Sequence, residues 1–268
     1  MSLRRALFGA LTFGAAALAL VFLVLPVAAI FLRVPPGKLV HQLSSPIVTD
    51  ALIVSAKTTA IAQLLILLFG TPLAYLVASR RFRGRSFVVT LIELPLVLPP
   101  AVAGLGLLAA LGRSGLLGTD IPFTQTAVVL AVAFVASPLY IRQAIASFEA
   151  VDPNLVAAAR TLGAGPERTF FHVVLPLARG GLAAGTALSF ARGLGEFGAT
   201  IMFAGSLQGV TQTLPLAIYS AFAIDFDTAI AMGALLVAVS AALLILLKLV
   251  LAWQPSRQTS SFLSARSS

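Results

Sequence analysis

The sequence predicts an all-α protein: a polytopic membrane bundle of six transmembrane helices forming one domain over residues 1–268, and three observations carry that expectation. The first is composition. Of 268 residues, 59% are hydrophobic and only 10% charged, and the mean hydropathy is +1.02, whereas soluble domains carry about a quarter charged residues. The second is a series of apolar segments at about 10–32, 52–78, 87–111, 125–147, 182–204 and 229–251. A hydrocarbon core about 30 Å thick takes roughly 20 helical residues per crossing, so each segment is long enough for a tilted span. The third is one-sided positive charge. With six spans, Arg4, Arg5, Arg80, Arg81, Arg83, Arg85, Arg142, Arg160, Arg168, Arg179, Arg257 and Arg266 fall on one side, and only Arg33, Lys38 and Arg113 on the other. Lys and Arg loops stay cytoplasmic, which predicts that both termini are cytoplasmic. Four acidic residues, Asp50, Asp120, Asp225 and Asp227, then lie outside. The net charge of +9 reports orientation, and nucleic acid is not an expected partner. There is no cysteine, which excludes disulfides and thiol chemistry.

The first segment follows Arg4 and Arg5 as a signal peptide would, but its apolar run is about twice a signal core, so it reads as an uncleaved anchor. In the second, Lys57 lies near the span end, where its stem can snorkel, as does Lys248 in the sixth. The third carries Pro95, Pro99 and Pro100 followed by Gly104 and Gly106. These residues must interrupt regular helix hydrogen bonding, either as ordinary kinks or to line a cavity. Glu93 lies nearer the cytoplasmic end, within snorkelling reach. The fourth span leads into a cytoplasmic connection, 148–181, too long to be a simple turn. The tail from Trp253 to Ser268 is basic, Ser-rich and expected to be disordered.

Within the long connection, residues 155–162 (LVAAARTL) are rich in helix formers. Asp152 and Pro153 suit a helix start, Gly163 its end, and Pro166 with Glu167 the opening of a second helix. The prediction is a helix, a tight corner and a helix, with Ala157, Ala158 and Ala159 leaving the corner slim enough to nest in a groove of another protein. A plain hairpin on the membrane surface is the alternative.

The fifth segment holds two charges, Arg192 and Glu196. Arg192 is about ten residues into its span, roughly 15 Å deep. An unpaired charge there costs about 2.5–3.5 kcal/mol, so both residues should face the bundle interior, four apart on one helical face and within reach of each other. They fit a neutralised pair that fixes packing, or a substrate contact. Gly185, Ser189 and Gly193 recur at intervals of four, a stripe that permits close helix approach. The third and fifth segments are therefore the expected lining of a path, with Pro99, Pro100, Ser189, Arg192, Glu196 and Thr200 as its candidates.

The corner resembles a known signature. ATP-binding-cassette importer permeases carry Glu-Ala-Ala, three residues, Gly, nine residues, then Ile, any residue, Leu, Pro. Here Ala157, Ala158 and Ala159 precede Gly163, and Val173, Leu175 and Pro176 follow at that spacing. Ala157 stands where the family has Glu, so a charged contact would come from elsewhere, for instance Glu149, Glu167 or Arg160. The stretches 190–205 (FARGLGEFGATIMFAG), 211–222 (TQTLPLAIYSAF) and 94–102 (LPLVLPPAV) resemble molybdate-importer permeases in particular. Sulfate-importer permeases share the first stretch but differ at Ala199, Thr200, Ile201 and Met202. The likeness runs from about residue 50 to 250.

The resemblance implies the type I importer permease fold, in the bacterial inner membrane, carrying molybdate or tungstate by alternating access. It implies that Ala157, Ala158, Ala159, Arg160, Gly163, Ala164 and Gly165 dock on a partner ATPase. It also implies a second copy of this chain, a pair of ATPases holding ATP–Mg, and an external oxyanion-binding protein. No cofactor is expected on this chain and no catalysis. The sequence has no phosphate-binding loop of the Gly-rich, Lys-Ser/Thr type. His41 and His172 have no metal-ligand spacing, so a metal site is not expected. A sulfate or thiosulfate permease, an ion-coupled secondary transporter and a membrane-embedded enzyme using Glu93, Arg192 and Glu196 as acid–base groups are the alternatives.

Overall fold

A computed structural model of the chain describes residues 2–35, 37 and 44–252, and the regular structure among them is helical throughout. In order the helices are α1 (Ser2–Arg33), α2 (Pro46–Ser79), α3 (Arg85–Val97), α4 (Pro100–Leu111), α5 (Gln125–Glu149), α6 (Pro153–Thr161), α7 (Pro166–Leu194), α8 (Gly198–Ala204), α9 (Leu214–Phe222) and α10 (Phe226–Ala252). Lys38, His41 and the tail from Trp253, with Arg257 and Arg266, lie outside the described residues, as does the side chain of Lys248.

Stretches long and apolar enough to cross a bilayer occur in α1, α2, α5, α7 and α10, and α3 with α4 make a sixth when taken as one broken span. The third expected span is thus two helices, bent by 113°. The break falls at Leu98 and Pro99, both extended, with ψ of 133°. Each of the two precedes a proline, whose ring drives the preceding residue out of the α region, and Pro100 then opens α4 at its first position.

The fifth span also departs from the expected 182–204. Its helix starts at Pro166 and stops at Leu194, and the remaining residues form α8. Helix propensity does not end where the bilayer does, so the connection at 148–181 becomes α6, a corner and the first turns of α7. A five-residue π-turn, Phe170–Val174, comes just before Pro176, where the proline cannot donate to the turn behind it.

The core runs along α5, the most enclosed span, with 61% of its apolar window buried. α2 and α7 pack along it. The buried face of α2 reads Val48, Ala51, Ser55, Thr58, Ala62, Ile66, Gly70, Ala74 and Val77, the three-and-four spacing of one helical stripe. α1 buries none of its apolar window, which fits a helix whose solvent is hydrocarbon. It meets α10 at its C-terminal end, where Arg33 lies 5.0 Å over the Phe226 ring and 3.7 Å from Asp227. Lys57 donates to Gln125 Oε1 at 2.9 Å, joining α2 to the start of α5.

Candidate functional site

The elbow after α5 is built by local rules. Asp152 accepts the Asn154 amide at 2.8 Å and Pro153 starts α6. At the other end the Ala164 amide donates to Ala159 O and the Gly163 amide to Arg160 O, both at 3.0 Å. That paired cap needs a left-handed residue, and Gly163 supplies it with φ +85°. The Thr169 hydroxyl then donates to Gly165 O at 2.9 Å, tying the corner to α7.

None of α6 is buried, and a Cβ at Gly163 or Gly165 would meet nothing within 4 Å. Leu162 is 88% exposed at the tip. The sequence reading assigned docking to the segment from Ala157 to Gly165 without singling out Leu162, because nothing in a helical run marks which leucine protrudes. Behind the elbow, Tyr75 of α2 lies against Phe148 of α5 and Phe170 of α7, with ring centroids 5.5 and 4.6 Å away. The elbow is thereby tied to the adjoining ends of three spans, the C-terminal ends of α2 and α5 and the first turns of α7. Arg85 pairs with Glu149, and Arg142 with Glu93 at 3.1 Å, clamping α3 onto α5. Glu149 is therefore engaged within the chain, and Glu93 has a partner instead of merely snorkelling.

Deeper in the bundle, the six candidates for the path separate into two groups. Ser189, Glu196 and Thr200 are enclosed within the chain. Pro99 and Pro100 are exposed at the break, and the Arg192 side chain keeps 34% of its surface. Ser189 donates to Gln63 Oε1 at 3.0 Å. The small-residue stripe is the seat of α7 on α5 and α2: a Cβ at Gly185 would lie 3.0 Å from Gln143, and one at Gly193 2.9 Å from Val132 and 3.3 Å from Thr59.

Arg192 and Glu196 do pair, Nη1 to Oε2 at 2.8 Å, but across a helix end instead of along one face. α7 stops at Leu194, so Arg192 sits in its last turn, where a cation suits the dipole. Glu196 Oε1 accepts the Ala199 amide at 2.8 Å and so caps α8. Gln63 Nε2, Thr200 Oγ1 and Thr213 Oγ1 are buried without a hydrogen-bond partner. Gln63 is the second residue that the sequence reading passed over; its partner is 126 positions away.

The two interrupted helices meet. A Cβ at Gly198, opening α8, would lie 2.7 Å from Pro100 Cβ, and one at Gly104 would lie 2.5 Å from Ala199 O. Gly193 is level with Val132 and Ala136 of α5, seven and eleven residues from that helix's first residue and so roughly 10–16 Å along it. Irregular backbone at such depth is tolerated where protein or a water-filled cavity satisfies it, and broken helices are how transporters build midplane sites.

Residues 70–259 match the family model described as binding-protein-dependent transport system inner membrane component. The molybdenum transport system permease protein ModB of Mycobacterium bovis is 42% identical over 229 residues, 83% of this chain and 87% of that protein. A molybdenum ABC transporter permease protein of Haloferax volcanii is 37% identical, covering 88% of each. Among solved structures, a bacterial ABC transporter involved in import of the acidic polysaccharide alginate superposes with a TM-score of 0.73 at 17% identity, over 93% of this chain and 96% of that one. At that identity the likeness shows the fold alone.

Proposed function

This chain is a member of the family of binding-protein-dependent transport system inner membrane components, the multi-pass permeases of ATP-binding-cassette importers, and from that membership we propose that it conducts molybdate into the cell. Tungstate, of the same shape and charge, is expected to share the route. Two copies form the path, a pair of cytoplasmic ATPases drives them through the elbows, and an external binding protein delivers the ion. Both termini face the cytoplasm, as the arginine asymmetry favours. This chain hydrolyses nothing itself.

The observation that carries the reading is the meeting of two broken spans beside Arg192. A dianion crossing hydrocarbon needs donors and positive potential, arranged weakly enough to let it go. Arg192 retains exposed surface after pairing with Glu196, and hydroxyls and an amide lie close by in the fold: Thr59 against Gly193, Ser189 with Gln63, and Thr200 next to Ala199, whose amide Glu196 holds. Its carboxylate is compensated by Arg192 and so repels an anion less. Ser189 and Thr200 reach the ion only if α7 and α8 shift during the cycle, the kind of movement alternating access supplies.

Uptake of radiolabelled molybdate into vesicles holding this chain, its ATPase and its binding protein tests the proposal. ATP-dependent uptake that excess tungstate suppresses and excess sulfate does not is the expected result. Uptake suppressed by sulfate alone would move the substrate to sulfate, and uptake driven by a proton gradient without ATPase would overturn the importer reading.

A further inference from the structure

Behind the elbow, the cytoplasmic ends of α2, α5 and α6 enclose a cleft of about 840 Å³. Four arginines reach it: Arg80 and Arg81 from the turn after α2, Arg85 from the start of α3, and Arg160 from α6. Its one carboxylate, Glu149, is paired with Arg85, whose Nε also donates to Val77 O at 3.0 Å. Arg80, Arg81 and Arg160 make no ion pair among the described residues. Three uncompensated positive charges therefore converge on one volume, where low-dielectric walls concentrate their field.

Those walls are apolar. Tyr75, Phe148, Val151, Val156 and Val174 form them. A soluble anion would satisfy the arginines and leave this wall wet, while an apolar ligand would leave the arginines unmatched. An amphiphile with an anionic head and a hydrocarbon body uses both. The cleft lies where α2 ends at Ser79, on the side that carries the excess of arginines, and with the proposed topology that side faces the inner leaflet's headgroups. Basic pockets between helices on that side suit anionic headgroups.

We propose that this cleft binds an anionic phospholipid of the inner leaflet, its phosphodiester between Arg80/Arg81 and Arg160 and its upper acyl chain along Tyr75, Phe148 and Val156. The bound lipid braces α6, which carries Arg160, against the ends of α2 and α5, so the elbow moves with the spans instead of swinging free. The proposal depends on this end being cytoplasmic and not on which ion is carried, so a different substrate would leave it standing.

Native mass spectrometry of the full chain, released from nanodiscs of equimolar phosphatidylcholine and phosphatidylglycerol, tests it. The wild type should retain phosphatidylglycerol over phosphatidylcholine by about tenfold, equivalent to about 1.4 kcal/mol. Arg80→Gln/Arg81→Gln/Arg160→Gln should abolish that preference. Arg83→Gln/Arg168→Gln/Arg179→Gln removes the same charge from the same side outside the cleft and should keep it. The triple lysine variant at 80, 81 and 160 should also keep it, which separates lost binding from lost folding. Equal loss in both glutamine triples would reduce the effect to diffuse surface attraction and overturn the site. Displacement of the lipid by inorganic phosphate alone would make it a soluble-anion site. Carbodiimide cross-linking of the amines of the triple lysine variant to carboxylates of the ATPase, with lipid absent, would make the cleft part of that interface. Either result overturns the proposal.

Discussion

At the scale of single residues, the Arg192–Glu196 pair shows how burial ranks two partners that look equivalent. Glu196 has almost no exposed side chain, whereas Arg192 keeps a third of its own. Removing the arginine strands a buried carboxylate; removing the carboxylate leaves a cation that can turn toward water. Arg192→Gln is therefore expected to cost about 3 kcal/mol and Glu196→Gln about 1–2 kcal/mol, the smaller figure discounted for exposure. Thermal unfolding of the detergent-purified variants checks the order, and a larger loss for Glu196→Gln would contradict it. Gly163 separates strain from contact. Its φ of +85° makes Gly163→Ala cost about 1 kcal/mol. The Cβ of Gly163→Trp would meet nothing within 4 Å, so the side chain leaves the corner into open space. The tryptophan variant should purify as a folded protein with an unfolding temperature close to that of the alanine variant, yet lose ATP-driven uptake. Retained uptake would remove the corner from the coupling route.

At the scale of elements, the broken spans are held by glycines that have no room to grow. Gly104→Ala would drive its new methyl against the backbone oxygen of Ala199 at 2.5 Å, whereas Gly106→Ala, two residues on, meets nothing. Overpacking of this kind costs about 1–3 kcal/mol, so the first variant should lose stability and uptake and the second neither. Differential scanning fluorimetry with transport assays on the pair decides it; equal behaviour would mean that α4 and α8 do not rely on this contact. The ion pairs between α3 and α5 make a second case. Glu93→Arg disrupts one of them, and adding Arg142→Glu restores it in reverse. A double variant more stable than the sum of its singles, by about 0.5–1 kcal/mol for a half-exposed pair, is the expected cycle.

These elements also mark how far the sequence could be read. The elbow was legible residue by residue because Asp152, Pro153, Gly163 and Pro166 act on backbone within a turn or two of themselves. The break in the third span was half legible: the prolines announce an interruption, but a kink and a 113° bend differ only by what the second half packs against. That partner, α8, is nearly a hundred residues away. Ser189 and Thr200 looked like path residues because they share a span with two charges. Their directions depend on which neighbours α7 and α8 meet, and Ser189 faces Gln63. Leu162 was illegible for the converse reason, since periodicity cannot tell a helix that packs from one that protrudes.

At the scale of the whole molecule, the proposed function makes the chain a lever that a partner ATPase moves. Its densest packing runs along α2, α5 and α7, and the aromatic contact of Tyr75, Phe148 and Phe170, with Val156 packed against the same cluster, joins that core to an elbow whose tip is exposed. Force applied at Leu162 and Gly163 therefore has one stiff route, through the ends of three spans to the level where the broken helices meet. The absence of cysteine from the entire sequence makes that route open to a direct test. A single cysteine at Leu162, with cysteines placed along the membrane-facing groove of the ATPase, reports contact by disulfide formation in native membranes. The account predicts a cross-link to the ATPase whose yield changes when ATP is added. A cysteine at 162 that stays freely reactive to a water-soluble maleimide in the assembled transporter, with or without ATP, would contradict it.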